Sequence, residues 1–356
     1  MKFQMEDVTV YVPYEGIYQE QYAYMVELKR ALDAKGHCHL EMPTGTGKTI
    51  ALLSLITGYI LSKPQNQNSV KKLIYCTRTV HEMEKTLAEL KLLHKSIDTK
   101  LSSIWGANRS SLSVSSRKNL CINHNILAAS QKLTSSWISE NPNVPTCECL
   151  EQFEKGTVDL PSSGVYSLQD LRAVGKAIGW CPFFLARQMV EAANVVVCTY
   201  QYLLDPKLAG IISKNLHKES IVVFDEAHSI DNACIEALSS RLETTKNSNV
   251  EKELLVGFVN LISIRAGIYQ KTRKFCYDRL HSLMMTLEII DTDEFLPIQT
   301  ICNFATLMGI YSGRGGFSII FEPTFDERSM QHDIPADPSL HLSCHDASLA
   351  IKPVFD

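Results

Sequence analysis

Long apolar runs are scarce in the first residues of this 356-residue chain. "MKFQMEDVTV" has no apolar core of the length an export signal needs. The run "TIALLSLITGYILS", Thr49 to Ser62, is too short to span a bilayer comfortably, so a buried helix is expected there and no membrane partner. Excess positive charge is missing too. Lys and Arg number 35 against 39 Asp and Glu, a net charge of −4, so any attraction to phosphates must be local. There is no internal repeat and no low-complexity tract. The cysteines number 11, which is odd, and several sit in apolar runs such as "IYCTRT" and "VVVCTY". That argues for a reducing compartment and against a disulfide framework.

What remains is ordinary for a globular protein: 45% hydrophobic and 21% charged residues, in a chain long enough for two or three domains. Residues 16–35 place Gln21, Met25, Leu28 and Leu32 at helical spacing. "HCHLEM" reads as a strand that feeds a Gly-rich turn and a helix. "KKLIYCT", "ANVVVCT" and "SIVVFDE" read as buried strands, because their apolar residues run continuously. Strand, loop, helix, strand is the rhythm of an α/β fold with a parallel sheet. Two stretches break it. Residues 106–185 are polar with clustered cysteines, and 240–340 reads as mostly helical, including "KFCYDRLHSLMMTLEII".

"EMPTGTGKT", Glu41 to Thr49, is the strongest motif. In such a loop the backbone N–H groups of Met42, Pro43, Thr44, Gly45, Thr46 and Gly47 (proline excepted) surround phosphate oxygens, and the following helix dipole adds to the field. Lys48 reaches the β- and γ-phosphates, and Thr49 offers a hydroxyl to Mg²⁺. Met42 stands where the general pattern has glycine, a departure common in helicase-type loops. "VVFDEAHSID" supplies acidic groups at the end of a strand. Asp225 would hold Mg²⁺ through water, Glu226 would orient and deprotonate the attacking water, and His228 would sense the nucleotide.

Together these motifs resemble the DEAH-box superfamily 2 helicases. "YVPYEGIYQEQYAYM", "LIYCTRTV", "SSRKNLC", "GWCPFFLAR", "VVVCTYQYLLDPK", "VVFDEAHSIDN" and "DASLAIKPVF" resemble the XPD helicase family, whose members serve the transcription and repair factor TFIIH. The FANCJ, RTEL and Chl families share the motif types with a poorer fit of these phrases. The resemblance implies a RecA-like P-loop motor domain: an ATP-dependent 5′-to-3′ DNA helicase with a [4Fe-4S] cluster, at work in the nucleus in nucleotide excision repair and transcription initiation. Its implied parts are motor domain 1 over 1–105 and 186–239, an iron–sulfur insertion over 106–185, a reduced arch-like insertion over 240–340, and a return to the motor over 341–356. Implied partners are single-stranded DNA, DNA forks and the TFIIH core subunits. Contact with the TFIIH kinase module is in doubt because the arch is short. The second RecA-like domain, which carries the arginines that complete the ATP site, is absent from the 356 residues. Gln21, with Tyr18, resembles the adenine-reading segment.

The family holds its cluster with four cysteines. Cys121, Cys147 and Cys181 match by flanking sequence. No cysteine lies between Cys121 and Cys147, where the remaining ligand belongs. Cys149 is the replacement expected, with His124 the runner-up; zinc takes the same ligand set, and loss of the metal stays open. Arg78, Arg117, Lys118 and Tyr200 resemble positions on the DNA path, although Tyr200 suits core packing equally. "YQKTRKFCYDRLH" mixes cations with aromatics, as single strands require, or is a solvated amphipathic helix. A non-catalytic scaffold that keeps nucleotide and metal binding for folding alone is the alternative function.

Overall fold

The computed structural model of the chain describes residues 1–43, 45–62, 72–97, 110–123, 148–155, 164–213, 220–243, 252–254, 275–276, 279–280, 296–311, 316–324 and 336–355. These fall into two compact units. The described residues up to Tyr202, with Ile211–Ala227, make the first; residues 203–210 and the described residues from His228 onward make the second.

The first unit is organised by a five-stranded parallel sheet. Its strands are β3 (Lys72–Thr77), β4 (Ser110–Val114), β5 (Gly164–Tyr166), β6 (Val195–Thr199) and β7 (Ser220–Phe224), in the order β5-β4-β6-β3-β7. The continuous apolar runs became β3, β6 and β7, as expected. Every residue of β3 is buried, because helices cover a parallel sheet on both faces. Those helices include α1 (Gln19–Asp33), α2 (Lys48–Ser62) and α3 (Val80–Ser96). Short α4 (Arg117–Leu120) and α5 (Glu148–Lys155) precede α6 (Leu168–Ile178) and α7 (Pro182–Ala192). After β6 come α8 (Gln201–Leu204) and α9 (Pro206–Ser213). Helix α3 starts where its sequence says it should. Thr79 Oγ1 accepts from Glu82 N at 3.2 Å, and Glu82 Oε2 accepts from Thr79 N at 3.0 Å.

Two expectations are corrected here. "HCHLEM" forms no strand: residues 37–42 lie outside the sheet, and His37–His39 are exposed. Strand β7 is the edge, with β3 its one neighbour among the described strands, and no described strand pairs with its other side. Residues 106–185 do not leave the sheet throughout, since β4 and β5 pair within it. The sequence "SSLSV" hid β4, because serines fill positions where a buried strand normally carries Val or Ile. A third feature, the antiparallel hairpin of β1 (Lys2–Met5) and β2 (Val8–Tyr11), had no forecast at all.

That hairpin is fastened to α1 and α2. Lys29 of α1 is buried and its Nζ meets Glu6 at 2.7 Å, Asp7 at 2.9 Å and Asp33 at 2.6 Å. These carboxylates push the Lys29 ammonium pKa well up, with the Asp33 bond the largest cause. Thr9 N donates to Ser62 Oγ at 3.1 Å, at the far end of α2.

The second unit carries an antiparallel sheet, ordered β8-β11-β10-β9, from Ser240–Glu243, Ala336–Cys344, Phe317–Thr324 and Lys252–Leu254. Its helices are α10 (Ile230–Leu238), α11 (Leu296–Tyr311) and α12 (Ser348–Phe355). The mostly helical reading of 240–340 is therefore corrected: four strands arise from that region and its border. Period-two patterning explains them, as in "LHLSC", where Leu342 and Cys344 are buried and Ser343 is less so. The border at 341 also moves, because β11 crosses it. Most of "KFCYDRLHSLMMTLEII" lies outside the described residues. Among the described residues no helix is long and apolar enough to cross a membrane.

Gly58 marks the tightest contact between α2 and the hairpin. A Cβ there would lie 2.5 Å from the Thr9 carbonyl oxygen. Alanine gains about 1 kcal/mol of helix propensity over glycine. Overpacking against backbone costs roughly 1–3 kcal/mol. Gly58→Ala should therefore lower stability, read as an earlier urea midpoint; a later midpoint would show that the hairpin yields freely.

Candidate functional site

The turn before α2 carries two glycines at φ 80° (Gly45) and 75° (Gly47), a region that a Cβ makes costly. Gly47 is also crowded: its Cβ would sit 2.5 Å from Gln21 Nε2. Gln21 is a buried tie. Its Oε1 accepts from Tyr18 N at 3.0 Å, and its Nε2 donates to Gly47 O at 3.4 Å. Thr46 Oγ1 donates to Pro43 O at 2.6 Å and closes the turn. Met42 is half-buried beside it. Thr44 lies outside the described residues. Lys48 and Thr49 then open α2, so the loop's amides and the positive end of the helix dipole face the same space.

Strand β7 delivers the acidic groups. Its pairing with β3 runs one residue further, with Asp225 N donating to Cys76 O at 2.9 Å. Glu226 follows at φ 54°, a left-handed conformation that is strained for a side chain with a Cβ. Lys48 Nζ donates to Glu226 Oε1 at 3.1 Å, joining residues 178 apart in sequence. Both side chains keep partial exposure, 25% and 35%. Such a pair is held weakly, so an arriving phosphate can take the lysine from the carboxylate.

Asp225 is more enclosed. Burial pushes its carboxyl pKa up; the hydrogen bond from Tyr75 pulls it down, the Glu226 charge raises it, and Lys48 lowers it. Tyr75 OH donates to Asp225 Oδ2 at 2.9 Å; burial and the Asp225 charge push its pKa up, and the Thr49 hydroxyl lowers it. Tyr24 of α1 stands close by. Its pKa is pushed up to about 12, first by burial and then by the Asp225 charge. Lys48, Thr49, Asp225 and Glu226 thus converge, which is a donor set for a metal and a triphosphate. His228 is exposed and begins the second unit.

Of the cysteines, Cys149 and Cys181 come together: Cys181 N donates to Cys149 O at 3.0 Å. Cys181 is the N-cap of α7 and Cys121 the C-cap of α4; both are buried. Cys147 and His124 lie outside the described residues. Among the described residues no group of three or more His, Cys, Asp or Glu is arranged to hold a metal ion.

Arg78 and Lys118 are exposed, as DNA contacts require. Arg117 is half-buried, its guanidinium 5.2 Å from the Phe183 ring centre and 5.6 Å from that of Phe184. Arg187 covers Phe183 from 3.9 Å. Burial lowers the Arg187 pKa and the Arg117 charge lowers it further, against a raising effect of Tyr202. Two cations thus share the Phe183 ring, and sequence reasoning did not single out Arg187 although it ends the quoted "GWCPFFLAR". Of the two alternatives for Tyr200, the structure has the buried one: it is 2% exposed and its hydroxyl donates to the Asp225 carbonyl. Of "YQKTRKFCYDRLH", four residues are described; Phe275 is exposed.

Comparison with known proteins agrees with this geometry. The family model DEAD_2 matches residues 75–246. The chain is 52% identical, over its whole length, to the TFIIH helicase subunit XPD of Arabidopsis thaliana, and covers 59% of that protein. Identity is 36% to the Dictyostelium discoideum XPD and 34% to that of Schizosaccharomyces pombe, with 57% and 58% of those proteins covered. The chain thus spans less than two thirds of the length of these relatives. The Arabidopsis alignment runs over 460 residues against 356 here, so segments within the relative have no counterpart in this chain. A solved XPD helicase structure shares the fold, with a TM-score of 0.55 at 15% identity, covering 96% of this chain and 57% of that one. Over its whole length the chain is thus similar to a part of the XPD helicase subunits of TFIIH.

Proposed function

We propose that this chain is the nucleotide-binding motor part of an ATP-dependent DNA helicase, moving 5′ to 3′ as a nuclear subunit of a TFIIH-like complex in excision repair and transcription initiation. The carrying observation is the meeting of Lys48 with Glu226 at 3.1 Å beside Asp225. In this reading Lys48 leaves Glu226 for the β- and γ-phosphates. Thr49 and Asp225 hold Mg²⁺, Gln21 faces the base, and Glu226, once released, orients a water. Arg78, Arg117, Lys118 and Arg187 contact single-stranded DNA, and His228 links nucleotide state to its neighbours.

The cysteine segment is proposed to hold a [4Fe-4S] cluster through Cys121, Cys147, Cys149 and Cys181. The backbone bond between Cys149 and Cys181 favours Cys149 over His124 as the replacement ligand. The cluster would supply a rigid cross-link between three chain segments.

Removing the lysine cation in Lys48→Ala should cut Mg·ATP affinity at least tenfold, measured by nucleotide titration; equal affinity would refute the assignment of the loop. Anaerobically purified protein should contain iron, and Cys149→Ser should lose most of it while Cys234→Ser keeps it. Full retention in the Cys149 variant moves the ligand to His124, and zinc without iron overturns the cluster. Residues 1–356 alone should bind ATP and, weakly and with salt sensitivity, single-stranded DNA. Their ATPase should stay near background, because the resemblance assigns the charge-neutralising arginines, worth about 10³–10⁵ in rate, to a second motor domain. Steady-state assays with and without single-stranded DNA test this, and strong DNA-stimulated turnover would place the whole machinery within this chain. Absent turnover in a full-length protein would favour the scaffold reading.

A further inference from the structure

Asp225 is held at both ends by tyrosines that the nucleotide motifs do not include. Tyr75 is fully buried in β3. A phenylalanine would fill that space equally well, whereas a buried hydroxyl must find a partner. It finds Asp225 Oδ2 at 2.9 Å. The Thr49 hydroxyl also acts on Tyr75 and lowers its pKa, so one phenol group meets one side chain assigned to the metal and senses the other. Tyr200, just past β6, is fixed by its own N–H to Thr77 O at 3.0 Å and by an edge contact to Phe224, 5.9 Å between ring centres. Its hydroxyl donates to the Asp225 carbonyl. That carbonyl belongs to the peptide leading into Glu226, whose backbone is left-handed at φ 54°. Asp225 Oδ1 in turn accepts from Glu226 N at 3.1 Å.

We infer that Tyr75 and Tyr200 are positioning residues for the metal–nucleotide complex. Tyr75 sets the spacing of Thr49 and Asp225 before metal arrives, and Tyr200 fixes the strained peptide that aims Glu226. Neither touches nucleotide. Strands β3 and β6 thereby prearrange the donors displayed at the end of β7, so that binding energy is not spent in ordering them. The inference rests on the proposed nucleotide site.

The test separates metal-dependent from metal-independent binding. ATP affinity is measured in EDTA and in Mn²⁺ for wild type, Tyr75→Phe and Tyr200→Phe. Both variants should bind ATP in EDTA as wild type does. The affinity gained on adding Mn²⁺ should fall about tenfold in Tyr75→Phe, as loss of a hydrogen bond to a charged group implies, and several-fold in Tyr200→Phe. A Mn²⁺-bound electron paramagnetic resonance spectrum should broaden in both. A variant that loses binding in EDTA has lost the fold, and the other then decides. Loss in both would make the hydroxyls purely structural and overturn the inference. An undiminished Mn²⁺ gain in the variants would overturn the clamp alone; no Mn²⁺ gain in wild type would overturn the nucleotide-site reading and the clamp with it.

Discussion

A carboxylate partly removed from water governs the first unit. Burial alone would leave Asp225 protonated more readily, and a protonated acid holds no metal. The neighbours that offset this come from different parts of the chain: Tyr75 from β3, Lys48 from the head of α2, and the Glu226 amide from the next residue. The sheet order brings them together. Placing β3 between β6 and β7 puts Tyr75 beside the acidic strand and lets Tyr200 reach across to its carbonyl. A different strand order would leave Asp225 without those donors.

The phosphate loop is positioned by other means. No strand precedes it, so its geometry depends on what grips it from behind. Gln21 ties it to α1, the Thr46–Pro43 bond closes it, and Lys48 anchors it to Glu226. Helix α2 is in turn held by the hairpin at Gly58 and Ser62, and the hairpin by Lys29. The first eleven residues, far from the loop in sequence, thus support it through two helices. Strand β7 stays half-buried along its whole length despite the apolar sequence "SIVVF", a direct consequence of its place at the edge.

Much of this was legible. Continuous apolar runs foretold β3, β6 and β7, and the Gly-x-Gly-Lys-Thr and Asp-Glu patterns marked the residues that the fold brings together as a candidate site, because both follow from local rules about strands and phosphates. What could not be read depended on remote partners. Serine-rich "SSLSV" became a strand because β5 and β6 flank it, whereas "HCHLEM" pairs with none of the described strands. Tyr200 was ambiguous for the same reason: its sequence allows a strand contact or a buried hydroxyl, and the position of Asp225 chooses the second. Tyr75 left a faint signal, a lone hydroxyl in the otherwise apolar "LIYC".

The cysteine segment and the nucleotide site share one mechanical element. Helix α7 begins at its N-cap Cys181 and ends at Ala192. Near its end the carbonyls of Val190 and Glu191 accept from Lys72 Nζ, at 2.7 and 3.3 Å. Lys72 is the first residue of β3 and is buried, which lowers its pKa; the carbonyls at the negative end of the helix compensate the desolvated cation. Strand β3 then carries Tyr75 to Asp225 and ends just before Arg78. A shift of α7 would therefore displace Lys72 or strand its charge, and the close-packed strand could not absorb that movement softly. Helix α7 thus links the Cys181 end of the cysteine segment to the strand that bears Tyr75, and Tyr75 reaches Asp225.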